Sequence, residues 1–262
     1  MKIQILNKTA SDLSMVVEGI GSELAGELRR IMLSEVPTMA VEWVDFKKND
    51  SAMQDEIVAN RLGQIPLAYD RKMYNLPGKC KCDGKGCSRC QVKLTLKKEG
   101  PCTVYSGDLK SKDKEVAPVF DKIPVVKLFE GQELEFLATA QLGTGKEHAK
   151  WQGAVVGYKG MPKVSINAAN QNDFEKYAKS CPKHLIEIDK NKLVVAKPFE
   201  CMMCMQCVEA SNGGISVEPL EDSFVFSVET VSGLKPDEIV TMATEVLEDK
   251  LKEFDKLVKK LK

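Results

Sequence analysis

Ile3 and Ile5, followed by Leu13, Met15 and Val17, alternate with polar residues, so residues 2–19 read as two strands joined by a turn at Asn7–Asp12. The period then changes. Ser22 opens a helix whose Leu24, Leu28, Ile31 and Met32 share one face, and Pro37 stops it. A strand is expected at Ala40–Phe46. Ser51 to Glu56 reads as the cap of a short helix carrying Ile57, Val58 and Leu62, ended by Gly63 and Pro66. Residues 91–158 are strand-rich, with Val92–Leu96, Val125–Leu128 and Leu134–Ala140 separated by glycine and proline. Phe224–Glu229 alternates as one more strand.

The C-terminal stretch behaves differently. Pro236 at a first helical position, with Asp237 and Glu238 complementing the helix dipole, starts a helix that meets no breaker before Lys262. At 1.5 Å per residue it should run about 40 Å. Val240, Leu247, Leu251, Phe254, Val258 and Leu261 recur at spacings near three and four, which makes an apolar stripe. Such a stripe ordinarily packs within its own domain. A helix of this length outreaches a small domain, so its seam points to a partner chain. Leu24, Leu28 and Met32 are expected to join Leu247, Leu251, Phe254 and Val258 at that interface.

Composition narrows the function. The chain has 262 residues, 43% of them hydrophobic, and no apolar run near eighteen residues, so a soluble protein with no membrane span is expected, large enough for two domains or one with insertions. Lys plus Arg and Asp plus Glu balance at 38 each, which argues against direct binding to DNA or RNA. The dense basic stretches are Lys79–Lys85 and the helical end Lys256–Lys262. Nothing resembles an Asp-rich magnesium site or a glycine-rich phosphate loop, so no catalytic residue is expected. His148 and His184, the two histidines, have no visible nucleophile or base partner.

The nine cysteines carry the chemistry. Cys201, Cys204 and Cys207 form C-x2-C-x2-C, and a Cys-Pro pair stands upstream at Cys181-Pro182. In two-cluster ferredoxins each half reads C-x2-C-x2-C-x3-C-P, the fourth cysteine ligating the other cluster. On that template the second cage has lost its ligands, since Gln171, Phe174, Tyr177 and Ser211 occupy their places. One cage remains: Cys181, Cys201, Cys204 and Cys207, expected to hold one [4Fe-4S] cluster, or a [3Fe-4S] cluster on fewer ligands. Zinc and two disulfides are the alternatives. The start Met1-Lys2-Ile3, without an apolar signal stretch, points to a cytoplasmic location where thiols stay reduced, which disfavours disulfides. A second set, Cys80, Cys82, Cys87 and Cys90, forms C-x-C-x4-C-x2-C with Gly84 and Gly86 in the turn, and suits one Zn²⁺. A hairpin of reduced thiols and a second iron–sulfur cluster are the competing readings. Cys102 has no partner by spacing and reads as a small buried hydrophobe.

Five segments carry a family resemblance. Gly26–Pro37 (GELRRIMLSEVP), Asn60–Leu67 (NRLGQIPL), Val104–Leu109 (VYSGDL), His148–Trp151 (HAKW) and Phe224–Thr230 (FVFSVET) resemble, in family order and nearly end to end, the D subunit of archaeal DNA-directed RNA polymerase. Its relatives are the third-largest subunit of eukaryotic RNA polymerase II and the N-terminal domain of bacterial alpha. The resemblance implies an α+β fold with a discontinuous dimerisation domain, residues 1–40 plus 222–262. A β-rich insert would span 41–163 plus about 218–221 and bear the zinc-type loop 80–90, and a ferredoxin-like single-cluster insert would span 164–217. It implies a non-catalytic assembly subunit that pairs with subunit L, is joined by subunits N and P, and then docks the two large catalytic subunits. His148 would belong to a contact segment, and His184 would be solvated or beside the cluster. A ferredoxin-type electron-transfer subunit is the main rival. A thiol-rich redox or iron sensor controlling transcription is a second, compatible with assembly.

Overall fold

The computed structural model describes residues 1–167, 173–190 and 192–261, so Gln171 and Lys262 lie outside the described residues. The chain mixes strands with five helices among those residues: α1 (Ser22–Ser34), α2 (Asp55–Gly63), α3 (Phe174–Ser180), α4 (Gln206–Ala210) and α5 (Pro236–Lys259). Two compact units form. One gathers residues 1–8, 13–27 and 157–227, and the other 9–12, 28–156 and 228–262.

The first unit is built on a four-stranded sheet in the order Lys2–Lys8, Asp12–Glu18, Ile215–Thr230, Ala154–Ile166. Its leading hairpin pairs Lys2 with Glu18 and Lys8 with Leu13, with an irregularity between Ile5 and Asn7. On one strand Leu13, Met15 and Val17 are buried as the alternation asks, and Val16 between them is buried too. On the edge strand the pattern fails, since Ile3 and Ile5 remain 58% and 59% exposed. Tyr158 stacks on Phe226 at 5.5 Å and meets Phe224 edge-on at 5.7 Å, locking the edge strand Ala154–Ile166 to the inner strand Ile215–Thr230. A smaller core of Phe174, Tyr177, Ile186, Leu193, Cys207, Ile215 and Val217 draws together α3, α4, the hairpin Ile186–Asp189 with Lys192–Val195, and the start of the long strand.

The second unit centres on the strand Glu133–Gly143, which pairs antiparallel with Thr38–Asn49 on one side and Gln91–Glu99 on the other, Lys110–Ser111 completing the sheet. Leu134, Phe136, Ala138 and Ala140 point one way and are buried. Phe46 and Phe136, opposite each other in register, meet edge-on at 5.7 Å, and Val58 and Leu62 of α2 join the same core. The other face is a ladder of charge in which Lys47, Lys48 and Lys97 bridge Glu133 and Glu135 at 2.9–3.1 Å. Two short ladders, Leu67–Ala68 with Ala117–Pro118 and Cys102–Tyr105 with Pro124–Leu128, close the unit.

Several expectations need correcting. Ser51 does not cap α2: its hydroxyl is spent on Asn49 Oδ1 (2.6 Å) and the Met53 carbonyl (3.2 Å), and the capping position falls to Gln54, which makes no side-chain cap. Met32 is 1% exposed, buried together with Ile31, so it belongs to the chain's own core. Cys102 is only half-buried, its thiol 3.4 Å from the Glu99 carbonyl. Helix α5 ends at Lys259, giving 24 residues and about 36 Å.

The root of α5 is well held. Pro236 starts it, and the Lys235 amide donates to Glu238 Oε2 at 2.9 Å, closing the first turn. Ile239, Met242 and Ala243 are buried. Arg71 pairs with Glu245 at 3.0 Å, and Lys250 reaches Glu35 at 2.7 Å. From Leu251 to Leu261 every residue is exposed.

Candidate metal centres

A turn of 3-10 helix at Pro77–Lys79 delivers Cys80, and the chain doubles back through Asp83, Gly84 and Gly86, all at positive φ. At Gly86 (φ 88°) a side chain would be strained, which explains glycine in the sharp bend. A second tight turn, with the Cys90 amide donating to the Cys87 carbonyl at 3.0 Å, brings Cys87 and Cys90 to face the first pair. The four sulfurs then all lie within 4.8 Å of one another, with Cys80–Cys87 at 3.6 Å, Cys82–Cys90 at 3.5 Å and Cys87–Cys90 at 3.7 Å. A disulfide would need about 2.05 Å, so these are free thiols. A tetrahedral zinc with Zn–S near 2.3 Å spaces its sulfurs by about 3.8 Å, so the residues fit that ion closely.

Crowding splits their acidities. Burial would raise the Cys82 thiol, but hydrogen bonds from Cys80, Cys90 and Cys87 outweigh it and bring its pKa down to about 7. Burial pushes Cys90 up to about 12. A cation placed among the four would favour their deprotonation, since the thiolate is the ligating form.

The other cysteine set is arranged differently. Helix α3 ends at Ser180 and hands the chain to Cys181; a 3-10 turn at Pro198–Glu200 presents Cys201; α4 carries Cys207. Between them Met203 and Met205 adopt φ of 54° and 64°, and His184 adopts 51°. These left-handed residues curl the loop, and two amides point at sulfur: Leu185 N to Cys181 Sγ and Met203 N to Cys201 Sγ, each at 3.4 Å. Cys181, Cys201, Cys204 and Cys207 line one small cavity with Leu185, Met203 and Val217. Cys207 is buried, Cys181 and Cys201 are half-buried and Cys204 is exposed. Burial, then the neighbouring Cys201, Cys181 and Cys204 charges, raise the Cys207 thiol.

This cage is wider than a single-ion site, because among the described residues Cys80, Cys82, Cys87 and Cys90 alone gather their sulfurs within 4.8 Å. Four thiols around one small cavity, two of them accepting from backbone amides, form a ligand set that could hold a metal group. The places where a second cage would stand have structural work instead. Phe174 and Tyr177 fill the local core, and the Ser211 hydroxyl donates to the Val208 carbonyl at 3.2 Å and accepts from the Ile215 amide at 2.9 Å.

The remaining expected residues fall as follows. Leu247 is half-buried, while Leu251, Phe254 and Val258 are 60%, 66% and 39% exposed. Leu24 is exposed and Leu28 half-buried. His148 Nδ1 accepts from the Lys150 amide at 3.1 Å, and the Lys150 ammonium pairs with Glu42 and sits 4.4 Å over the Trp151 ring, so the HAKW segment is a local scaffold. His184 donates its amide to the Cys181 carbonyl at 2.9 Å. Sequence reasoning missed Lys159, whose ammonium donates to the Cys201 carbonyl at 2.7 Å, and Glu35, which takes both Lys146 and Lys250. Neither stands in a motif. No helix among the described residues is long and apolar enough to cross a membrane.

The family described as the RNA polymerase Rpb3/RpoA insert domain matches residues 44–158. The chain is 41% identical over 259 residues to DNA-directed RNA polymerase subunit Rpo3 of Methanosphaera stadtmanae, covering 95% of this chain and 96% of that protein. It is 41% identical over 258 residues to the Rpo3 subunit of Pyrococcus horikoshii (97% and 96% covered) and 38% identical over 262 residues to that of Archaeoglobus fulgidus (99% and 98% covered).

Proposed function

The chain belongs to the Rpo3 family of DNA-directed RNA polymerase subunits, and on that premise we propose that it is a non-catalytic assembly subunit which pairs with subunit L and so forms a platform for the rest of the enzyme. The observation that carries this reading is the free end of α5. Its root is anchored by buried Ile239, Met242 and Ala243, yet Leu251, Phe254, Leu257 and Val258 present apolar surface to solvent on a helix that continues past its own unit's support. Monomeric proteins seldom leave such a stripe uncovered, and a facing helix would bury it.

In this reading residues 1–40 and 222–262 act as the dimerisation domain, 41–163 with 218–221 as the insert, and 164–217 as the cluster module. Subunits N and P join next, and the two large catalytic subunits follow. Cys80, Cys82, Cys87 and Cys90 hold one structural Zn²⁺, and Cys181, Cys201, Cys204 and Cys207 hold one iron–sulfur cluster; both act as staples for segments with small cores of their own. The relatives are named as polymerase subunits along nearly the whole chain, and the electron-carrier reading finds no support among them. Co-expression with subunit L tests the proposal. The double variant Leu251→Asp, Phe254→Asp should no longer co-purify with L while keeping both metals; normal co-purification would overturn it.

A further inference from the structure

Beside the zinc-type loop the second unit opens into a cleft of about 790 Å³ that no part of the assembly reading uses. Lys72, Arg89, Lys93 and Lys112 line it, every one exposed and none paired with a carboxylate among the described residues. Elsewhere on this unit some lysines are matched, as in the Lys47, Lys48 and Lys97 ladder, while others such as Lys110, Lys114 and Lys122 lie outside this cleft's cluster. The single carboxylate in the wall, Asp113, is already engaged: it accepts the Tyr74 hydroxyl at 2.5 Å and the Glu115 amide at 3.0 Å. Accepting both bonds keeps Asp113 ionised, so it offsets one of the four cations and leaves three in excess. Lys72, Lys93 and Lys112 come from outside the 80–90 loop, which contributes Gly86, Cys87, Ser88 and Arg89 to the same cleft.

We propose that this cleft is a docking site for an acidic polypeptide segment, one that alternates carboxylates with apolar side chains. The cations would take the carboxylates, and Met73, 57% exposed on the rim, offers the apolar contact. A nucleic acid fits less well. The chain as a whole carries no net charge, and the one aromatic side chain lining the cleft, Tyr74, is buried and hydrogen-bonded, leaving no platform for a base to stack on.

The test is fluorescence anisotropy of the full chain with a labelled peptide of repeating Glu-Glu-Leu, against a single-stranded oligothymidylate of similar charge. Reversing Lys72, Lys93 and Lys112 to Glu should weaken peptide binding by about tenfold or more, since three attractions become repulsions. Reversing the exposed Lys122 and Lys127 should change it less than about twofold, and the triple Lys→Gln variant, which keeps the fold under milder change, should fall between. Binding should also weaken with salt. No peptide binding by the unaltered chain, or equal loss in the control, would overturn the proposal. Oligothymidylate binding as tightly as the peptide, with the same loss in the variant, would replace the peptide by nucleic acid and overturn it too.

Discussion

Replacing Glu35 by Gln asks whether one mostly buried carboxylate fixes the rooted half of α5. The Glu35 side chain is 13% exposed and accepts from Lys250 at 2.7 Å and Lys146 at 2.8 Å, whose side chains are 39% and 62% exposed. Burial by itself would raise the carboxyl pKa; the hydrogen bonds from Lys146 and Lys250, with their charges, overcome it and hold the group below its ordinary 4.5. A charge-assisted hydrogen bond to a buried group is worth about 1.5–3 kcal/mol, and an exposed ion pair about 0–1 kcal/mol. With both ammonium groups partly in water, the substitution should cost about 2 kcal/mol, or about 4–8 °C for a chain of this size. The sign with pH follows. Because the folded-state pKa is depressed, the stabilisation is complete above 4.5 and is lost as pH falls through the lower folded value. Thermal unfolding followed by circular dichroism should therefore separate the two proteins at pH 6.5 and narrow the gap as the pH falls below 4.5. Amide exchange across Pro236–Lys250 should rise in the variant. Equal melting at pH 6.5, or a gap that persists unchanged in acid, would refute the argument.

The metal sites give two further expectations. Protein with Cys181, Cys201, Cys204 and Cys207 all changed to Ser should still carry about one zinc per chain by elemental analysis, because the 80–90 sulfurs meet the zinc spacing unaided; no zinc, or iron in its place, would reject the assignment. Cys181→Ser should raise protease cleavage within 173–217 and lower recruitment of the large subunits more than it lowers pairing with L. Unchanged protease resistance with unchanged recruitment would show the cluster to be dispensable.

What the sequence disclosed, and what it hid, follows from the range of the forces involved. The zinc-type loop was legible because its four ligands lie within one short turn, where spacing alone constrains geometry. Helix α5 was legible for the same reason, its cap and stripe being local. Met32 was placed at the interface because a helical face tells which residues share a side, not what covers them; it is buried in the chain's own core. The expected strand at Phe224–Glu229 is the end of a much longer one, Ile215–Thr230, whose exposed middle, Glu218–Asp222, hides the alternation. Ser51 looked like a cap, but Asn49 and Met53 claimed its hydroxyl. Glu35 was invisible, since its partner Lys250 lies 215 residues away. Lys159 and Cys201, 42 residues apart, share that obstacle.

If the exposed end of α5 is the interface for subunit L, the affinity of the two purified chains is the most direct measure of it. Leu251, Phe254, Leu257 and Val258 would each contribute about 1.5–3 kcal/mol if fully covered, and even half of that total comes to about 3 kcal/mol or more. Titration calorimetry should find the chain ending at Lys250 at least about a hundredfold weaker for L than the full chain, with both proteins retaining their metals and the same melting of the second unit. An unchanged Kd for the shortened chain would contradict the account and move the interface elsewhere.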